Sequence, residues 1–347
     1  MRIQGIAYDT GFVTPDGPVR PPLDPGRVER ELTIIRDDLH CTAVQLVGGD
    51  PDRLEVAARL AAGLGLEVWF SPYPIELTED EILALFVDCA DRAERLRAAG
   101  ADVVFVAGVE LTIMNRGFLE GEGIDARLVQ LFGDPARTPD RIAAANDRLA
   151  PFLSRAVAAV RERFGGRVTY AAIQYERVDW DLFDVVTVEL IRSAEVAGVF
   201  REGVRRLVDQ PTPVAITGFG TATWKGAADV APRSMEVLER DEAGVPVRLS
   251  TELDRDEAGQ AAYLTELLEI FDGEGVDAAF VHLFALDDLP HRPDGPPRED
   301  LDLASPGVVK VLEGRSGEAY PGLPWEPKEA FAAVAAAYRA APTYSAR

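Results

Sequence analysis

Eight short apolar runs recur along this chain, spaced by segments of helical length and amphipathic pattern. Strands are expected over 2–8, 42–47, 66–70, 103–106, 167–175, 183–190, 213–217 and 277–284. A strand covered on both faces reads as unbroken apolar sequence, as Val103 to Val106 does. The helix starts are written locally. Asp24-Pro25, Asp50-Pro51 and Thr138-Pro139 place a capping side chain before a proline that fits the first helical turn, and Thr78 with Glu81 forms a capping box. Val28, Leu32, Ile35 and Leu39 recur as one helical face does. Further helices are expected near 195–209, 256–272, 305–313 and 327–340, and a hairpin near 235–249. Strand followed by helix, eight times over, predicts a single (β/α)8 TIM barrel over residues 1–340, with long loops after strands four and seven. An open doubly wound sheet is the alternative. Residues 341–347 read as a frayed tail.

Composition narrows the function classes. Hydrophobic residues make up 47% of the 347, enough to fill a core of this size. The net charge of −23 argues against nucleic acid and against anionic membrane surfaces, both of which need clustered Lys and Arg. No run is long enough to span a bilayer and no apolar signal segment precedes the first strand, so a cytoplasmic protein is expected. The two cysteines, Cys41 and Cys89, read as buried reduced thiols.

In a barrel the chemistry sits at the carboxyl ends of the strands. Glu110 ends the most apolar strand of the chain, where a carboxylate contributes nothing to packing. Glu176 and Glu189 follow the fifth and sixth strands, and these three are the candidate catalytic acids. Each has a bland reading: Glu110 as an ion-pair partner, Glu176 beside Arg177, Glu189 beside Arg192. Tyr8, Asp9, Tyr73, Asn115, Tyr175, Trp180, Gly218, Trp224, His282 and Asp287 are the candidate substrate-binding positions. Acids rimmed by aromatic rings suit reactions in which one carboxyl donates a proton while rings stack on the substrate. His282, Asp287 and His291 lack the tight spacing of a metal site, and no phosphate-cradling loop, dinucleotide fingerprint or Gly-x-Ser-x-Gly elbow occurs. No metal or cofactor is expected. The expected partner is a small-molecule or sugar-like substrate, with the oligomeric state left open.

Several stretches carry a family resemblance: residues 2–9, 109–117, 170–180, 183–186, 217–227 and 302–325. On these the chain resembles a group of bacterial abortive-infection proteins that look like TIM-barrel glycoside hydrolases of the large retaining clan. The resemblance covers most of the chain. It implies an acid/base glutamate at the end of strand four, matched by Glu110, although Val109 stands where the clan usually has Asn. It implies a nucleophilic glutamate at the end of strand seven. Relatives read Thr-Glu-Phe-Gly there, and this chain reads Thr217-Gly218-Phe219-Gly220. Glycine forms no glycosyl-enzyme intermediate. Three readings follow: a barrel repurposed for acid/base chemistry on a small metabolite (cyclisation, isomerisation or elimination), a glycosidase pairing Glu110 with Glu176 or Glu189, or a non-catalytic binder.

Overall fold

The computed structural model describes residues 1–14, 17–18, 22–241 and 244–340. Its barrel strands are β1 Ile3–Gly11, β2 Ala43–Gly48, β3 Glu67–Pro72, β4 Val103–Val109, β5 Arg167–Ala172, β6 Val186–Glu189, β7 Val214–Phe219 and β8 Ala278–Val281. They close in the order β1-β8-β7-β6-β5-β4-β3-β2. Helices α1 Pro25–Asp37, α2 Pro51–Gly63, α3 Glu79–Ala98, α4 Leu111–Met114, α5 Ile124–Phe132, α6 Thr138–Arg161, α7 Ala197–Val208, α8 Glu257–Glu274 and α9 Glu329–Ala340 alternate with them. This is the (β/α)8 barrel that the repeated strand–helix pattern predicts, and the open sheet is excluded by closure.

The local signals act as their chemistry requires. Asp50 accepts the N–H groups of Asp52 and Arg53 at the start of α2. Glu81 reaches back to the Thr78 N–H at 2.8 Å, and that bond holds its carboxyl below the usual range. Helix α6 runs unbroken from Thr138 to Arg161 through Pro151.

Two expectations need correction. The segment near 305–313 is not helical: Pro306 and Gly307 stop a short 3-10 turn at Leu301–Ala304, and Val309–Val311 pairs antiparallel with Trp325–Pro327. Strand β5 stops at Ala172 rather than continuing to Tyr175, so Tyr175 and Glu176 lie in a turn closed by Glu176 N–H to Ile173 O at 3.0 Å. The long connection expected after β4 holds α4 and α5. The hairpin near 235–249 does form, from Leu238–Arg240 and Pro246–Leu249, with its turn residues Glu242 and Ala243 outside the described residues. The expected frayed tail, 341–347, also lies outside them.

The chain packs as two compact units. One comprises Asp9–Leu32 and Ala43–Glu189 and holds strands β2 to β6. Its β3 and β4 run parallel in register from Val68↔Val103 to Phe70↔Phe105, and every residue of β4 is buried. The β4–β5 register shifts between Val106 and Val109. Gly108 makes that bulge: its φ of +94° suits glycine, and a Cβ there would meet Leu111 at 2.8 Å and Phe86 at 3.0 Å. The bulge re-aims the end of the strand that carries Glu110.

The other unit comprises Met1–Tyr8, Thr33–Thr42 and Leu190–Arg347. Within it Lys328, 2% exposed, donates to Thr223 Oγ1 at 2.8 Å and pairs with Asp302 at 3.0 Å. Arg255 also pairs with Asp302, at 2.7 Å, so this buried carboxylate joins three segments. Cys41 and Cys89 are both free and buried, and burial pushes both thiols up. Neither should react with a thiol reagent in the native protein, and both should react once denaturant unfolds it. Native labelling faster than global unfolding would contradict this burial. Among the described residues no helix is long and apolar enough to cross a membrane.

Candidate active site

Glu110 follows β4 directly and has left-handed backbone angles, φ 47° and ψ 40°. A non-glycine residue pays steric strain in that region and keeps it only where its surroundings impose it. Its N–H donates to Ala171 O at 3.1 Å, and its carbonyl accepts from Ile113 and Met114 in the short turn of α4. Its side chain is half-buried. Among the described residues the Glu110 carboxyl makes no hydrogen bond and no ion pair. Burial first, then the charges of Glu189 and Glu176, push its pKa up to about 8.

Glu176 is handled in the opposite way. It is 8% exposed and accepts four hydrogen bonds: Thr112 N–H at 3.1 Å, Thr112 Oγ1 at 2.6 Å, Tyr170 Oη at 2.7 Å and Ile173 N–H at 3.2 Å. Burial raises its pKa, and the donors from Thr112 and Tyr170 pull against that. Glu189 ends β6 and is half-buried. Arg192 pairs with Glu266 at 2.9 Å and lies over the Tyr263 ring at 5.0 Å.

Two phenols face the same acids. Tyr73 is raised well above its ordinary pKa by burial and then by Glu110, Glu189 and Glu176, so it stays protonated. Its ring stands edge-on to Phe12 at 5.2 Å. Tyr175 is raised by burial, its hydroxyl is 3.0 Å from Thr112 Oγ1, and Phe132 stands edge-on to its ring. Trp180 opens a 3-10 turn and packs edge-on to Phe183.

The loop after β3 braces the Glu110 segment. Glu76 N–H donates to Met114 O at 2.9 Å, and Arg116 N–H to Leu77 O at 3.0 Å. Asn115, fully buried, accepts from Leu77 N–H at 3.2 Å and donates to Pro74 O at 3.1 Å. Its place is therefore in the brace between two loops. Arg127 is also fully buried and donates to both oxygens of Glu76 and to Ile113 O.

The remaining sequence candidates are placed by their own contacts. Asp9, 6% exposed, accepts Gly11 N–H at 2.7 Å. Tyr8 is equally buried and stacks on Phe284. Gly218 is buried in β7, and its carbonyl accepts Leu190 N–H at 2.9 Å. Trp224 Nε1 donates to Ser234 O. His282 is half-buried, and burial pushes its pKa down to about 4. Asp287 lies half-buried in a turn after β8. His291 bonds Asp300 at 2.9 Å and Arg255 at 3.1 Å, which accounts for its polar ring.

Sequence reasoning missed Tyr170, Thr112, Arg127 and Glu76. Arg127 had a signal: it falls on the stripe formed by Ile124, Leu128 and Leu131, where a charge must find a buried partner. Tyr170 sits inside an apolar strand, where a phenol needs a bond. Thr112 and Glu76 carry no such signal, because their partners come from other loops.

No family model and no curated protein sequence matches this chain. Solved structures match it in fold. A GH113 beta-1,4-mannanase aligns with TM-score 0.60 over 98% of this chain and 99% of its own, at 15% identity. The GH113 beta-mannanase of Alicyclobacillus acidocaldarius aligns with TM-score 0.55 over 97% of both chains, also at 15% identity. Bacteroides uniformis beta-glucuronidase 2 aligns with TM-score 0.55 at 12% identity over 89% of this chain, which spans 33% of that larger protein. At these identities the likeness is one of fold.

Proposed function

We propose that this protein is a glycoside-hydrolase-like barrel turned to acid/base chemistry on a small molecule, with Glu110 as the general acid. The observation that carries the reading is the Glu110 carboxyl: half-buried, in a left-handed backbone, and without a protein partner among the described residues. Structure-building carboxylates in this chain are paired, as Glu176 and Glu76 are. An acid kept protonated near neutrality and left unbonded has its proton available to a substrate.

Glu189 and Tyr73 complete the proposed machinery. The Glu189 charge acts on Glu110 more strongly than that of Glu176 does, which raises the acid's proton affinity. Tyr73 supplies a hydroxyl that stays protonated and can orient a substrate oxygen. Under the resemblance, the position of the clan's nucleophile is Gly218, which has no side chain to capture a cationic centre. Protonation by Glu110 followed by loss of a proton elsewhere gives isomerisation or cyclisation, and protonation of a leaving group, its departure and loss of a proton from the neighbouring carbon give elimination. The atoms balance in each case without an added reactant.

A second reading is favoured by one observation. Glu189 is the strongest charge acting on Glu110, and a glycosidase would need such a pair, about 6.5–9.5 Å apart for an inverting enzyme. The test treats a bacterial metabolite extract with wild type, Glu110→Gln or buffer and follows it by chromatography and mass spectrometry, beside a panel of aryl glycosides. The expected result is a compound whose retention time changes at constant mass, or which loses water or ammonia, only with wild type. Release of nitrophenol by wild type, lost in Glu110→Gln, would replace this reading by the glycosidase. Identical extracts with wild type and variant would leave a binder.

A further inference from the structure

Three consecutive amides, those of Glu110, Leu111 and Thr112, are received by one short stretch of chain. Glu110 N–H goes to Ala171 O at 3.1 Å. Leu111 N–H goes to Tyr170 Oη at 3.0 Å, and Thr112 N–H to Glu176 Oε1 at 3.1 Å. The first amides of any helical turn lack partners within the helix. Helix α4 has only four residues, so its own bonds are too few to hold the chain at Glu110 in a left-handed conformation. The partners from β5 and its turn supply what the short helix lacks.

The protons in this arrangement have one consistent placement. Tyr170 Oη accepts from Leu111 N–H, so its own proton goes to Glu176 Oε2 at 2.7 Å. The Thr112 hydroxyl sends its proton to Glu176 Oε1 at 2.6 Å and therefore accepts from Tyr175 Oη at 3.0 Å. Every donor points at Glu176, which suits a carboxylate anion and occupies both of its oxygens. No position remains from which Glu176 can pass a proton to a substrate.

We propose that Tyr170, Thr112 and Glu176 are positioning residues for Glu110: they lock the backbone of residues 110–112 so that the Glu110 carboxyl is presented without a protein partner, and Glu176 is not the second acid. This rests on the reading of Glu110 as the general acid. Its consequence is that Glu176 serves the backbone of residues 110–112 and takes no proton-transfer step. The steric strain at Glu110, on the order of 1 kcal/mol or more for a residue of this kind, is maintained by bonds that a substrate never touches.

The test is carboxyl-carbon NMR on protein labelled at glutamate, with Glu110 assigned by its loss in Glu110→Gln. Titrations are run on wild type, Tyr170→Phe, Thr112→Val and Thr112→Ser, and amide hydrogen exchange is followed at Leu111 and Thr112. None of these substitutions changes a charge. The expected result is a Glu110 midpoint lowered by at least about one pH unit in Tyr170→Phe and Thr112→Val, with exchange at the two amides about tenfold faster. Thr112→Ser, which keeps the hydroxyl, should titrate like wild type. A purely structural role would lower thermal stability and leave the midpoint where it was. A midpoint near 8 in every variant overturns the clamp and leaves the general-acid reading standing. A wild-type midpoint near the ordinary carboxyl value overturns the general-acid reading instead, and the clamp is then judged on amide exchange alone.

Discussion

Glu110→Gln should raise the melting temperature at pH 8 and leave it nearly unchanged at pH 4. In the folded protein, burial and the charges of Glu189 and Glu176 push the Glu110 pKa up to about 8 from 4.5. Below pH 4.5 the carboxyl is protonated in both folded and unfolded chains and costs nothing. As pH rises from 4.5 towards 8 the unfolded chain ionises while the folded chain holds its proton, so wild type loses stability through that window. Glutamine has no proton to hold and escapes the loss. The full shift would amount to about 5 kcal/mol at roughly 1.4 kcal/mol per pH unit. Glu110 is only half-buried, so solvent screening leaves about 2 kcal/mol. Calorimetry across pH 4–9 reads this directly. A variant no more stable than wild type at pH 8 would mean that Glu110 is ionised and solvated there, and it would falsify the general-acid assignment. The same substitution should reduce turnover of any substrate found by about 10²–10⁴-fold, the range for a lost general acid. A functional residue that costs stability is the usual signature of a site selected for chemistry.

Arg127→Ala should destabilise the protein by about 3 kcal/mol, the largest loss expected from a single polar side chain here. Arg127 is fully buried and gives its guanidinium to both Glu76 oxygens, to Ile113 O and to Gly121 O at 3.4 Å. Its removal leaves those acceptors without their donor and opens a cavity in the connection after β4. Arg116, 3.6 Å from Glu76, compensates only part of the lost charge. Urea titration measures the loss. The double variant Arg127→Met with Glu76→Gln should recover more than half of it, because an apolar side chain of similar length no longer faces a stranded carboxylate. Equal stability of the single and double variants would show that cavity formation, not the buried charge, sets the cost.

The barrel was legible because its signals are local. Asp50, Thr78 and Glu81 act within a few residues of themselves, and the apolar run Val103–Val106 announces a strand covered on both faces. The misreadings fall where local and non-local preferences compete. Val309–Val311 carries enough apolar residues to resemble a helical face, and only pairing with Trp325–Pro327 makes it a strand. The apolar run after Arg167 continues past Ala172, but the chain turns there because Glu176 is drawn in by Thr112, Tyr170 and Ile173.

The candidate site divides along the same line. Sequence alone determined that Glu110 has no packing reason to end a buried strand, since a charged group at the end of an apolar run is anomalous whatever surrounds it. It also marked Glu176 and Glu189, and it put Glu110 first on the apolarity of its strand, with no means to tell which acids are bonded. Which of them is bonded is a property of the tertiary structure. Hydrogen-bond donors reach the Glu176 carboxyl from Thr112, Tyr170 and Ile173, while among the described residues none reaches the Glu110 carboxyl. Whether a carboxyl is a strut or an available acid depends on which donors lie within 3 Å of it, and those donors come from segments that only folding brings together.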